Sequence, residues 1–230
     1  MRYFHVNYRS RTRWFSPIFS ALSVLNKVPD PNWPGEYALG VATKFEILDY
    51  LLSRHSSDLA DIHSQLLTVK DIDRYVANRG EIARACLLDQ NLAVKTVAHL
   101  ECFISEAFAT WDLAMAFAVR LCRGVLGKRV TASNILEQLK SRDIDFPWLQ
   151  MRKKLRNFHL HNGSLWIAIE IASDKPRRYE LIVLLRNTKD LRNRADWIAW
   201  QELKGVVPGL SGSLRELQSW LLQEIARSRQ

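Results

Sequence analysis

Between residues 156 and 161 the chain reads Arg-Asn-Phe-His-Leu-His. Arg156 is a permanent cation whose planar donors match a phosphate, and His161 can move protons near neutral pH. Metal-free cleavage of a phosphodiester needs at least those two capabilities. Arg152 and Lys153 precede the pair in a cationic run and are candidate substrate contacts, while the amide of Asn157 can hold a histidine or a phosphate oxygen in place. A bare Arg-x4-His is cheap: in a chain of this composition about half an occurrence arises by chance. Context sharpens it, because Arg-Asn also occurs at 186 and 192, and only at 156 does a histidine follow at the right distance.

The spacing has a geometric consequence. Five residues turn a regular helix by about 500°, which leaves His161 roughly 140° from Arg156. His159 lies only about 60° away and would be the natural neighbour on an ideal helix. Use of His161 therefore requires the helix to loosen at Asn162-Gly163, a favoured helix-ending pair, or a second subunit to complete the site. His161 is the candidate proton carrier and His159 a candidate substrate contact.

Each residue also has a plainer role to set beside the chemical one. Arg156 can simply pair with Glu101 or Asp112, since a buried arginine is usually paired. His161 can be a polar helix end open to water, and Asp112 suits a structural partner of an arginine better than a catalytic acid. His159-x-His161 has no third ligand at convincing spacing, so no metal site is expected. Trp148 and Trp166 flank the motif and suit packing better than stacking on bases.

The elements that must position these residues are mostly helical. Ser16-Pro17 opens a helix to about residue 27, and the run 29–35, with three prolines and a glycine, predicts a loop. A second helix is expected over 36–54, with Tyr37, Val41, Phe45, Leu48 and Leu52 on one side, followed by short helices at 58–67 and 69–79. The segment 81–123 has no proline or glycine and repeats apolar residues at helical spacing, predicting one long helix or two abutting ones as the spine of a bundle. A further helix is expected near 132–141, and the motif helix runs from about 145 to 162.

The pattern then changes. Residues 165–171 and 179–185 are β-rich, with Asp174-Lys175-Pro176 between them, and predict a β-hairpin. Helices near 191–203 and 213–227 follow, the last opened by a capping box of Ser213 and Glu216. The fold class is mainly α. Residues 1–79 form an N-terminal arm and packing helices, 80–163 the helical core, and 164–230 the hairpin and closing helices of the same domain.

Charge is uneven. The formal net charge is +9, of which residues 1–15 contribute +4 and residues 151–200 contribute +6, so the remainder is close to neutral. Two local basic regions favour a polyanion, nucleic acid before membrane. Cys86, Cys102 and Cys122 sit in apolar helical contexts and read as buried free thiols of a reducing compartment. No signal peptide is evident, and the most apolar window, 107–122, is short for a bilayer span. A cytoplasmic protein without a membrane partner is the expectation.

Arg156, Asn157 and His161, late in a helical segment, together with a long upstream helix containing His99-Leu100-Glu101-Cys102-Phe103 and Trp111-Asp112-Leu113, resemble the HEPN superfamily. The resemblance covers roughly 80–163. It implies an up-and-down helical bundle, here extended by a C-terminal β-hairpin and further helices. It also implies metal-independent RNA cleavage, with Arg156, Asn157 and His161 at a site shared by two subunits of a homodimer, no cofactor, and a toxin or defence role in which an antitoxin is a further partner. A non-catalytic module binding RNA or a nucleotide, and a dimeric scaffold domain, are the alternatives. If the basic segments contact phosphates, RNA affinity measured by fluorescence anisotropy should fall at least tenfold, about 1.4 kcal/mol, between low and physiological salt.

Overall fold

A computed structural model describes residues 14–25, 33–70, 72–77, 89–141, 148–151, 155, 165–171, 179–185 and 191–228. Its helices are α1 (Ser16–Ser23), α2 (Trp33–Leu67), α3 (Ile72–Ala77), α4 (Gln90–Gly124), α5 (Ala132–Lys140), α6 (Trp200–Lys204) and α7 (Val206–Arg227). Three strands, β1 (Trp166–Ile171), β2 (Tyr179–Leu184) and β3 (Trp197–Ala199), form one antiparallel sheet in that order. The protein is thus mainly helical with a small sheet.

The chain separates into two units interleaved in sequence. One comprises 1–48, 106–146 and 210–230, and the other 49–105 and 147–209. Within the first, α1 buries Ile18 and Leu22, and Phe117 receives Phe15 edge-on at 4.5 Å between ring centres. The Trp14 indole N–H donates to the carbonyl of Leu214 at 2.6 Å, and the Gln218 amide donates to the Trp14 carbonyl. Ile135 and Leu139 of α5 are fully buried, and the Trp220 indole donates to the Gln138 side chain at 3.0 Å. Glu224 pairs with Lys128 and Arg227; burial alone would raise its carboxyl, but the two cations hold it below the usual range. Burial pushes the Cys122 thiol up to about 11, an inert buried thiol, whereas Cys102 is exposed, contrary to expectation. Cys86 lies outside the described residues.

Four features differ from those expected. Helix α2 begins at Trp33, inside the predicted loop, because Pro34 occupies the first turn, where a missing N–H costs nothing. It then continues unbroken through residues 55–58. Serines favour breaks when their hydroxyls compete with the backbone, but here Ser53 donates to the Tyr50 carbonyl at 2.7 Å and Ser56 to that of Leu52 at 3.1 Å, within the helix. In place of a helix over 191–203, a single 3-10 turn (Arg194–Asp196) leads into β3 and then α6. Strand β2 is buried from Leu181 to Leu184 and needs a partner on its second edge, which β3 supplies by pairing Ile182 with Ala199 and Leu184 with Trp197. Helix α7 starts at Val206 rather than at a Ser213 cap, since Pro208 fits its first turn and Ser213 is buried. The predicted hairpin has Trp166 opposite Leu184 and Ile171 opposite Tyr179.

Helix α4 begins where Asp89 caps it, accepting the Leu92 N–H at 3.0 Å. Its length and composition alone would suit a membrane span, and half of its most apolar window is buried within the protein.

In the second unit, the Trp148 side chain is buried against Gly209, where a Cβ would stand 2.9 Å from the indole Cδ1 and 3.2 Å from Cγ. Alanine is the better helix former, yet there is no room for it. Gly209→Ala should therefore lower stability by about 1–3 kcal/mol despite its higher helix propensity, read as a lower midpoint in chemical denaturation.

Candidate functional site

Of the residues singled out for chemistry, Arg152, Lys153, Arg156, Asn157, His159 and His161 all lie outside the described residues. What is described are their immediate neighbours. Leu155, directly before Arg156, is 1% exposed, and Leu165, four residues after His161, is 4% exposed. Both belong to the second unit. Glu101 on α4, proposed above as a partner for Arg156, accepts the backbone N–H of Leu165 at 3.1 Å. That bond ties the start of the hairpin to the long helix. Asp112, the other suggested acid, is exposed and belongs to the first unit. Trp148 is buried, as a packing residue should be, while Trp166 is half exposed.

A second polar constellation in the same unit has no counterpart in the sequence reading. The Asp58 side chain on α2 is fully buried. Its Oδ2 lies 2.5 Å from His99 Nδ1, and its Oδ1 lies 2.8 Å from Lys95 Nζ, both on α4. Lys95 also approaches Asp61 at 3.6 Å. Lys95 and His99 are four residues apart and so share one face of α4. Burial alone would raise the Asp58 carboxyl, but hydrogen bonds from Lys95 and His99 outweigh it and hold the group below the usual carboxylate range.

One turn before Asp58, His55 is 1% exposed and neither ring nitrogen has a hydrogen-bond partner. Its ring centre lies 3.7 Å from that of Trp200 on α6, which also meets Phe103 of α4 edge-on at 5.5 Å. Burial pushes His55 down to about 4, against the opposing pull of Asp58 and with smaller contributions from His99 and Lys204. His55 is thus a neutral aromatic filler at neutral pH. Thr96, one turn before His99, is likewise buried with an unpartnered hydroxyl.

This cluster suits architecture better than phosphate chemistry. Nδ1 of His99 is held by Asp58, and the side chain is 22% exposed. Asp58 and Asp61 set two carboxylates against the Lys95 ammonium, and that balance does not attract a polyanion. The signal that could have found it is His55-x-x-Asp58 on one helix and Lys95-x-x-x-His99 on another, two polar pairs at one-turn spacing. Among the described residues no three His, Cys, Asp or Glu side chains converge to hold a metal ion. No family model matches the chain, and no curated protein or solved structure matches it.

The pH dependence follows with its sign. His55 binds its proton less readily folded than unfolded, so its contribution is intact above about pH 6.5 and lost as pH falls toward 4. At 1.36 kcal/mol per pKa unit that loss is ~3 kcal/mol. Asp58, depressed when folded, adds a further loss at lower pH, as its carboxyl takes up a proton. His55→Leu should flatten the profile between pH 6.5 and 4 in urea denaturation while leaving the more acidic loss in place.

Proposed function

We propose that this chain is a metal-independent endoribonuclease of the HEPN type, built on a HEPN-like up-and-down helical bundle. In this reading it is a cytoplasmic homodimer of the toxin or defence kind, checked by an antitoxin. The observation that carries the reading is the Arg156-Asn157-x-x-x-His161 pattern, bracketed by the buried Leu155 and Leu165 in one compact unit. Buried residues on both sides suit a motif that must be held rather than left on a free tail. The bond from Leu165 to Glu101 supports the same view, since it fastens the chain just beyond the motif to the long helix.

The chemistry is transesterification. The RNA 2′-hydroxyl attacks the adjacent phosphorus, its proton passes to a histidine, and the bond to the 5′-oxygen breaks as that oxygen takes a proton. The products are a 2′,3′-cyclic phosphate and a free 5′-hydroxyl. His161 serves as proton carrier, with its copy in the second subunit as the complementary acid or base. Arg156 stabilises the added negative charge on the pentavalent phosphorus, and Asn157 positions the histidine or a phosphate oxygen. Arg152, Lys153 and His159 contact the backbone of the substrate.

Single-stranded RNA incubated with the purified chain and a chelator should yield cyclic-phosphate ends. His161→Ala should slow this by about 10²–10⁴-fold, the usual worth of a positioned proton carrier, without loss of fold by circular dichroism. Wild-type protein that binds RNA but never cuts it would leave a binding module. Protein that fails to bind RNA at low salt would leave a scaffold domain.

A further inference from the structure

Outside its two basic regions the chain is near neutral as a sum, but the charge there is not evenly spread. No aspartate or glutamate occurs from 113 to 136, and the same stretch carries Arg120, Arg123, Lys128 and Arg129. The fold gathers these cations at one corner of the first unit, where α4 ends and α5 begins. Gly127 takes φ 66°, in the left-handed region, and the Lys128 N–H donates back to the Cys122 carbonyl at 2.9 Å, so the chain wraps round the end of α4. The Arg123 side chain closes the loop, its Nε donating to the Val130 carbonyl at 2.9 Å. That bond sets its guanidinium beside the backbone that carries Arg129.

The Lys128 ammonium is neutralised by the Glu224 carboxylate. Arg120, Arg123 and Arg129 are exposed, and none pairs with a carboxylate among the described residues. Arg120 lies instead over the Tyr37 ring, 5.0 Å from its centre. Helix α4 accounts for two of the three, because Arg120 and Arg123 sit in its closing turns, where the helix dipole favours cations. Arg129 has no such reason. It stands two residues before Thr131, the cap of α5, at a helix end where the dipole favours anions. Three guanidinium groups without acids, one of them set against a dipole, make a surface complementary to an anion.

We propose that this corner docks a nucleic-acid backbone, its phosphodiester oxygens taken by Arg120, Arg123 and Arg129. Planar guanidinium forks match phosphate oxygens, and neighbouring cations suit a chain of phosphates. None of the large exposed apolar side chains lies between 120 and 134, so the corner offers nothing to enter a bilayer. Contacts to phosphate carry no sequence information, so the surface holds a strand without reading it. The Arg156–His161 motif belongs to the second unit, and the inference stands whether or not the chain cuts RNA.

The test is binding of a labelled strand of about twenty uridines to the full chain, read by fluorescence anisotropy over a salt series with a chelator present. The double variant Arg123→Gln, Arg129→Gln should bind at least tenfold more weakly at low salt; Arg120 is left in place because it also packs on Tyr37. Each phosphate contact on a single strand contributes a slope of about 0.7, so the variant's plot of log affinity against log salt should be shallower by roughly 1.4. Arg123→Lys, Arg129→Lys keeps both charges and should keep the slope, which separates lost charge from lost fold. In the parent, the amide resonances of Arg129, Thr131 and Asn134 should shift as the strand is added. Equal affinity and slope in the glutamine variant overturns the proposal, as does a parent that binds no strand at low salt. Weaker binding of that variant to phosphatidylserine vesicles, with its binding to the strand unchanged, overturns it too and assigns the corner to a lipid headgroup.

Discussion

One carboxylate fixes the centre of the second unit. Asp58 is removed from water altogether and is tolerable there only because His99 and Lys95 reach it from α4. Taking either partner away leaves a charge in a dry place, so the register of α2 against α4 over this stretch is set by electrostatics as much as by packing. Around it, the apolar neighbours follow. His55 stays neutral because burial outweighs the pull of Asp58, and as a neutral ring it packs on Trp200. Trp200 in turn meets Phe103 and lines a cleft beneath the hairpin.

Much of the fold was legible because period and composition report burial directly. The long α4 follows a run free of proline and glycine up to its last residue, Gly124, and the hairpin shows as two β-rich stretches about a turn. What was not legible had specific physical causes. Pro34 lies in the run expected to be a loop, yet it falls in a first turn, where proline is harmless, as does Pro208 in α7. The expected gap between 54 and 58 is helix instead, and Ser53 and Ser56 there hydrogen-bond within α2. Strand β3 is three residues long, too short for any periodicity, and exists because β2 needs an edge partner. At the site, the arginine–histidine spacing is visible in one segment of sequence. The Asp58–His99 pair spans 41 residues and becomes visible only once two helices are laid side by side.

Residues 151–200 contribute +6 to the chain, a charge that favours polyanions over amines. Glu101, an acid on the long helix, accepts the backbone N–H of Leu165 and so joins the start of the hairpin to that helix.

The bond from the Trp14 indole to Leu214 joins residues 200 positions apart, and Gln218 returns a bond to the same tryptophan. During vectorial synthesis at the ribosome, the α1 segment is made long before the helix that receives it. Phe15 must therefore wait about a hundred residues for Phe117, and Trp14 some two hundred for Leu214. Such distant closure slows folding and exposes the early segment to chaperones or to other nascent chains in the interval.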